Sequence, residues 1–191
     1  MSFRKDILDR VRRLIRAEQG VAAVEFALVL PIMLFVYLGT LEASTLITMD
    51  RKVQSVAGAV GDLVARANGT ITSSELQDYF QAASGIMIPY SADEVAQVVT
   101  AIQVSSDGKT ATVVWTRKLE DGNYTSLTPY TVGGTYPLPE AMTNIAKGQM
   151  VIAAEASYTA KPLVGVIFDV PVNLYRASYF LSRFGEPIGI S

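Results

Sequence analysis

Histidine and cysteine are both absent from the 191 residues. Without cysteine there are no disulfides and no thiol nucleophile, and without either residue the usual zinc sites are excluded. The lack of histidine also removes the ordinary Ser-His-Asp triad. No GxSxG elbow, P-loop, dinucleotide fingerprint or EF-hand loop is present. The adjacent carboxylates Asp93-Glu94 and Glu120-Asp121 stand beside predicted turns and read as solvated turn charges. These absences predict a chain that is not an enzyme, with no cofactor and no metal site. A tethered hydrolase using Ser or Asp groups is the remaining catalytic alternative, and it requires a pocket of converging polar groups.

Cationic residues are missing over one long stretch: residues 17–49 contain neither Lys nor Arg. Residues 21–41 are apolar apart from Glu25 and Thr40, with Pro31 and Gly39 as the helix-unfriendly positions. A bilayer core of ~30 Å needs about 20 such residues in a helix. Lipid cannot satisfy open backbone groups, so a helix is the expected conformation. Phe26, Leu28, Leu30, Pro31, Leu34 and Leu38 lie in this predicted anchor. Pro31 removes one bond to the preceding turn and marks a place for a kink.

Charge is unevenly spread around the apolar run. Residues 1–20 carry Arg4, Lys5, Arg10, Arg12, Arg13 and Arg16 against Asp6, Asp9 and Glu18, a net of +3. The whole chain is −2, so the remainder is −5, which argues against nucleic acid as a partner. Glu42 and Asp50 come first on the far side of the span. The positive-inside rule then predicts a single-pass protein with a cytoplasmic N-terminus and its C-terminal domain across the membrane. Phe3, Ile7, Leu8, Val11, Leu14 and Ile15 recur at helical spacing. They fit a cationic amphipathic helix on an anionic leaflet equally with an unstructured leader that only fixes topology. An ordinary secretory signal is disfavoured by the length of the apolar run, by Glu25, and by the lack of a small-x-small pair after Leu41.

An ionisable residue inside a span is costly and calls for a partner. Glu25 follows Gly20 by five residues and precedes an unbroken apolar run. This pattern resembles the processing site of type IV prepilins. The wording GVAAVEFALVLP, which starts at Gly20, is similar to the N-terminal motif of TadE-like proteins, the minor pilins or pseudopilins of the tight-adherence (Tad) pilus. Val21 stands where many other type IV pilins carry Phe, which favours the Tad branch. Gly20 is expected to interrupt the helix at the junction with the leader.

The resemblance implies that a prepilin peptidase cuts between Gly20 and Val21, leaving a free α-amino group on Val21. Glu25 then lies about 6 Å along the helix, at 1.5 Å per residue, where a carboxylate complements the macrodipole. In the family pattern this carboxylate meets the new amino terminus of an adjacent subunit and sets register. The alternative is a Glu that snorkels to the interface unpaired. The implied partners are the peptidase, other pilin or pseudopilin subunits, Tad inner-membrane assembly proteins and the lipid bilayer. The implied location is a bacterial inner membrane with a periplasmic head, and the implied biology is adhesion and biofilm formation.

Beyond the span, Leu46, Ile47, Val53, Val56, Ala57, Val60, Leu63 and Val64 continue at helical spacing. The prediction is one helix of roughly 45 residues, ~65 Å long, ending at Asn68-Gly69. Gly58 and Gly61 weaken it locally, at about 1 kcal/mol each against Ala. Thr72-Ser73-Ser74-Glu75 reads as a capping box opening a helix over 76–83. Residues 95–104 and 110–119 read as a β-hairpin turning at 106–109. A long loop follows, with a helical turn expected over 139–146. Its Tyr124, Tyr130 and Tyr136 either form a contact surface or pack on the sheet. Strands are expected over 150–160 and 173–183, joined by the apolar stretch 161–168, which reads as a buried or partner-facing connection. Tyr158-x-x-Lys161-Pro162-Leu163 and a closing strand with Arg176 or Arg183 are loosely similar to the TadE-like arrangement. The expected fold is α+β, pilin-like: a leader over 1–20, a membrane-spanning helix with its extension over 21–68, and a small antiparallel head over 69–191. Two functional readings follow, a TadE-like minor pilin or an uncleaved membrane-anchored periplasmic adaptor.

Overall fold

The computed structural model describes residues 18–162, 165 and 169–191. The basic leader, with both of its readings, and most of the 161–168 connection lie outside the described residues. A helix of 48 residues, α1 (Glu18–Ala65), opens the described chain. It passes through Pro31 without a break in the helical run. The expectation for Gly20 was wrong: α1 already begins at Glu18, so Gly20 lies inside its first turns. A glycine costs only about 1 kcal/mol in a helix interior, and good helix formers follow it.

By contacts the chain divides into Met1–Ser44 with Leu163–Asp169, and Thr45–Pro162 with Val170–Ser191. The second unit is α+β. After α1 come β1 (Thr70–Ile71), α2 (Ser73–Ser84), β2 (Ala96–Val104), β3 (Ala111–Glu120) and β4 (Asn123–Thr125). The short α3 (Glu140–Ile145), β5 (Met150–Ala160), β6 (Val172–Leu181) and β7 (Gly189–Ile190) complete it. Strands β4-β3-β2-β5-β6 form one sheet in that order, antiparallel throughout. The two-residue β1 and β7 pair in parallel, so residues near the C-terminus close against the start of the head.

The inner face of the sheet receives the second half of α1. Val53, Val56, Ala57, Val60 and Val64 are buried with Val99, Ala101, Trp115, Ile152, Ala154 and Ala156. The Trp115 indole N–H donates to the Ile188 carbonyl at 2.7 Å, tying β7 to the core. Gly61 permits the approach: a Cβ there would lie 2.5 Å from Phe180 Cε2 and 2.9 Å from Ala154 Cβ. A Cβ at Gly58 would meet nothing within 4 Å.

The capping box is present: Thr72 caps Glu75 N–H while the Glu75 carboxylate accepts from Thr72 N–H at 2.8 Å. On the outer face Ile102, Val104, Ala111, Val113, Val151 and Ala153 form a second apolar layer beneath Tyr136 and Ala146 of the long loop.

Candidate functional site

The first unit presents the residues on which the sequence concentrates. Its helix is exposed from Gly20 to Tyr37. Glu25 is four residues beyond Val21 and so projects from the same side of the helix. Phe26, Leu28, Leu30, Pro31 and Leu34 are exposed around it, while Leu38 is half-buried. The best 18-residue window of this helix has a mean hydropathy of 2.4 and none of it is buried. Such a surface is stable only where something apolar covers it. Among the described residues this is the one helix long and apolar enough to cross a membrane. The Thr40 hydroxyl donates to Val36 O at 2.8 Å and so stays satisfied without water. Further along, Glu42 is buried and its Oε1 accepts from Gly165 N–H at 2.8 Å.

In the head, both C-terminal arginines reach carboxylates on α1. Arg176 pairs with Asp50, and Arg183 with Asp62, which also receives Arg66. The hydrogen bond from Arg66, reinforced by Arg183, holds Asp62 below the ordinary carboxylate range against the opposing effect of burial. Exposed pairs of this kind contribute about 0–1 kcal/mol each. They align helix and strand more than they stabilise them.

The sequence reading missed a polar cluster on the outer face. Glu155 is only 6% exposed. Its Oε1 accepts from the Tyr130 hydroxyl at 2.6 Å and from the Tyr136 hydroxyl as well. The two rings are 4.6 Å apart. A buried carboxylate is expensive unless hydrogen-bonded, and here the long loop supplies the donors. The tyrosines therefore pack on the sheet. The available signal was a lone acid in the otherwise uncharged run of β5, MVIAAEASYTA.

Burial, then the bond to Glu155, pushes the Tyr130 and Tyr136 hydroxyls up. Tyr175, also beside Glu155, is pushed up to about 12, with burial again the first cause. An unfolded tyrosine loses its proton near pH 10, whereas the native chain still holds these protons there. Their contribution to stability is complete below pH 10 and is lost as pH rises through about 12 for Tyr175. The unfolding midpoint of the detergent-solubilised chain is expected to fall over this window. Tyr175→Phe should flatten the fall, and an unchanged slope would contradict the assignment.

Two surface clefts open on the head. One of about 270 Å³ is lined by Gln81, Ser84, Asp93 and Leu119 among others. The other, of about 320 Å³, includes Glu94, Glu120, Asp121, Ser157 and Lys161. Two of its carboxylates are engaged locally, Glu94 with Lys161 at 3.6 Å and Glu120 with Lys118. Among the described residues no group of three acids stands together as a metal site.

No curated protein and no solved structure matches the chain. The N-terminal pattern is matched by a protein family. Over residues 20–61, from the Gly20–Glu25 motif through the apolar helix and into the part of α1 that packs on the sheet, the chain matches the family described as TadE-like protein.

Proposed function

We propose that this chain is a minor pilin or pseudopilin associated with a Tad-type pilus. The observation that carries the reading is the Gly20-to-Glu25 spacing at the head of an exposed apolar helix, inside the segment that matches the TadE-like family. The helix anchors the protein once in the bacterial inner membrane, N-terminus in the cytoplasm and head in the periplasm. Prepilin peptidase cuts between Gly20 and Val21. The new α-amino group becomes the partner of Glu25 on an adjacent subunit. A charge pair in a medium of low dielectric discriminates register, because a misplaced subunit leaves both charges unmatched. Van der Waals packing between spans supplies the association itself. The role is structural rather than catalytic, in a pilus that serves adhesion and biofilm formation.

Sequencing the N-terminus of protein recovered from membranes tests this. Val21 as the first residue supports processing, while a leader still attached favours the anchored periplasmic adaptor. Glu25→Gln is then expected to leave insertion and cutting intact but to impair pilus assembly. Assembly at the normal level from an inserted, processed variant would remove Glu25 from the register role.

A further inference from the structure

The cleft of about 270 Å³ opens where the last turn of α2 meets the end of β3 and the residues leading into β2. Ser84 and Gly85 line it from the helix side, Val95 and Leu119 from the sheet side, and Asp93 is exposed at its rim. Strand register sets Leu119 between Gln97 of β2 and Tyr124 of β4, so the three side chains share one row on the inner face.

Both neighbours of Leu119 carry an unmatched polar atom. Among the described residues Gln97 Oε1 and the Tyr124 hydroxyl are buried without a hydrogen-bond partner. Gln97 is fully buried, and its Nε2 donates to Phe80 O at 3.0 Å and to Ser84 Oγ at 2.7 Å. A main-chain carbonyl only accepts, so the amide cannot be turned round and Oε1 stays the unmatched atom. Gln97 stands directly behind the cleft wall: its partner Ser84, its ladder neighbour Leu119 and Val95 two residues before it all line the cleft. Tyr124 is held by its ring, 6.3 Å from that of Phe80. Buried polar groups are rarely left unpaired, and two exceptions flanking one lining residue mark a missing partner.

The surroundings select the partner's chemistry. α2 has no basic residue in its last turn, so the negative end of its dipole is uncomplemented. Asp93 takes part in none of the ion pairs among the described residues. No Lys or Arg among them lines the cleft, and Ala92, Val95 and Leu119 make part of its wall apolar. The volume falls below the ~300–1,000 Å³ of sites for drug-sized ligands, which suits a single side chain or a small amine.

We propose that this cleft binds a primary ammonium group carried on an aliphatic stem. The stem lies along Val95 and Leu119. The ammonium passes Ser84 to donate to Gln97 Oε1, with the Tyr124 hydroxyl as a further acceptor and Asp93 as the opposite charge at the rim. A lysine of a neighbouring polypeptide and a free alkylamine share this chemistry. The site lies wholly within the head, so it stands whether or not the chain is cut after Gly20.

The test titrates the isotope-labelled full chain, in uncharged detergent at constant ionic strength, with n-butylammonium. Saturable NMR shifts are expected at the Gln97 side-chain amide and at the Ser84, Gly85 and Gly122 main-chain amides. n-Pentanol has the stem without the charge, and tetramethylammonium the charge without a donor. Each should bind about tenfold more weakly, the scale of one charge-assisted hydrogen bond. Tyr124→Phe keeps the ring against Phe80 and should also weaken butylammonium about tenfold. Asp93→Asn should cost about fivefold, the upper end for an exposed ion pair. Trp115 fluorescence verifies that each variant is folded. In native membranes a zero-length carbodiimide, which joins a carboxylate to an amine, then identifies the source. Coupling of Asp93 to a lysine of another polypeptide assigns the cleft to a protein side chain. Butylammonium binding without such coupling assigns it to a free alkylamine. No saturable shift, equal binding of pentanol, or unchanged affinity in both variants would overturn the proposal.

Discussion

Tyr136→Ala is expected to destabilise the head by about 4 kcal/mol, the range for deleting a large buried aromatic. In a domain of this size that lowers the unfolding midpoint by roughly 12 °C, at about 3 °C per kcal/mol. Two losses combine. The ring belongs to the apolar cluster on the outer face of the sheet that includes Ile102, Val113, Val151 and Ala153, and its removal leaves a cavity. The hydroxyl is one of the donors to Glu155, so its removal also leaves a buried carboxylate short of a partner. Tyr136→Phe isolates the second loss at about 2 kcal/mol, the usual worth of a hydrogen bond to a charged group. Trp115 is the only tryptophan and is buried in the inner core. Its fluorescence during urea unfolding therefore reports the head without added probes. A Tyr136→Phe midpoint equal to that of the parent would mean that the carboxylate does not need this hydroxyl.

For Gly61→Val the expected loss is about 3 kcal/mol, the upper end of overpacking costs. Ala154 is fully buried in the middle of β5 and cannot retreat from a new Cβ built 2.9 Å away. Phe180 has more freedom, being half-buried on the edge strand, but at 2.5 Å it too must move. Helix α1 has to lift off the sheet or β6 has to shift, and either change strains the Asp50–Arg176 and Asp62–Arg183 pairs. Gly58→Ala is the matched control on the same helix. Its new Cβ meets open space, so it should stabilise by about 0.5–1 kcal/mol through helix propensity. Opposite signs at two glycines three residues apart separate packing from propensity. Two substitutions with the same sign would refute the close-approach account of Gly61.

The local pattern of this protein is legible in its sequence. The apolar run, the capping box at Thr72, the hairpin at 106–109 and the strand over 150–160 each follow from short-range rules. Such rules depend on which residues are three, four or two positions apart. The helix runs to Ala65 because the buried positions from Val53 to Val64 keep helical spacing. The resemblance at Gly20 to Pro31 was likewise contained in a dozen adjacent letters, and the family match covers the same segment.

Other features depended on residues far apart in the chain. Whether Gly61 is a weakness or a fitted contact was decided by Phe180 and Ala154, more than ninety positions away. Arg176 and Arg183 acquired partners only when β6 came to lie beside α1. The sheet order placed β6 at one edge and β3 inside, between β4 and β2, a distinction that no strand pattern carries. Glu155 became a buried acceptor only once the loop bearing Tyr130 and Tyr136 folded over it. Sequence alone determined the long apolar helix, the Gly20–Glu25 spacing at its head and the identity of most elements, because helical and strand periodicity are set by neighbours. Tertiary structure decided which polar groups are paired and which strands lie at the sheet edges, because burial and pairing depend on distances that only the folded chain brings within a few ångströms.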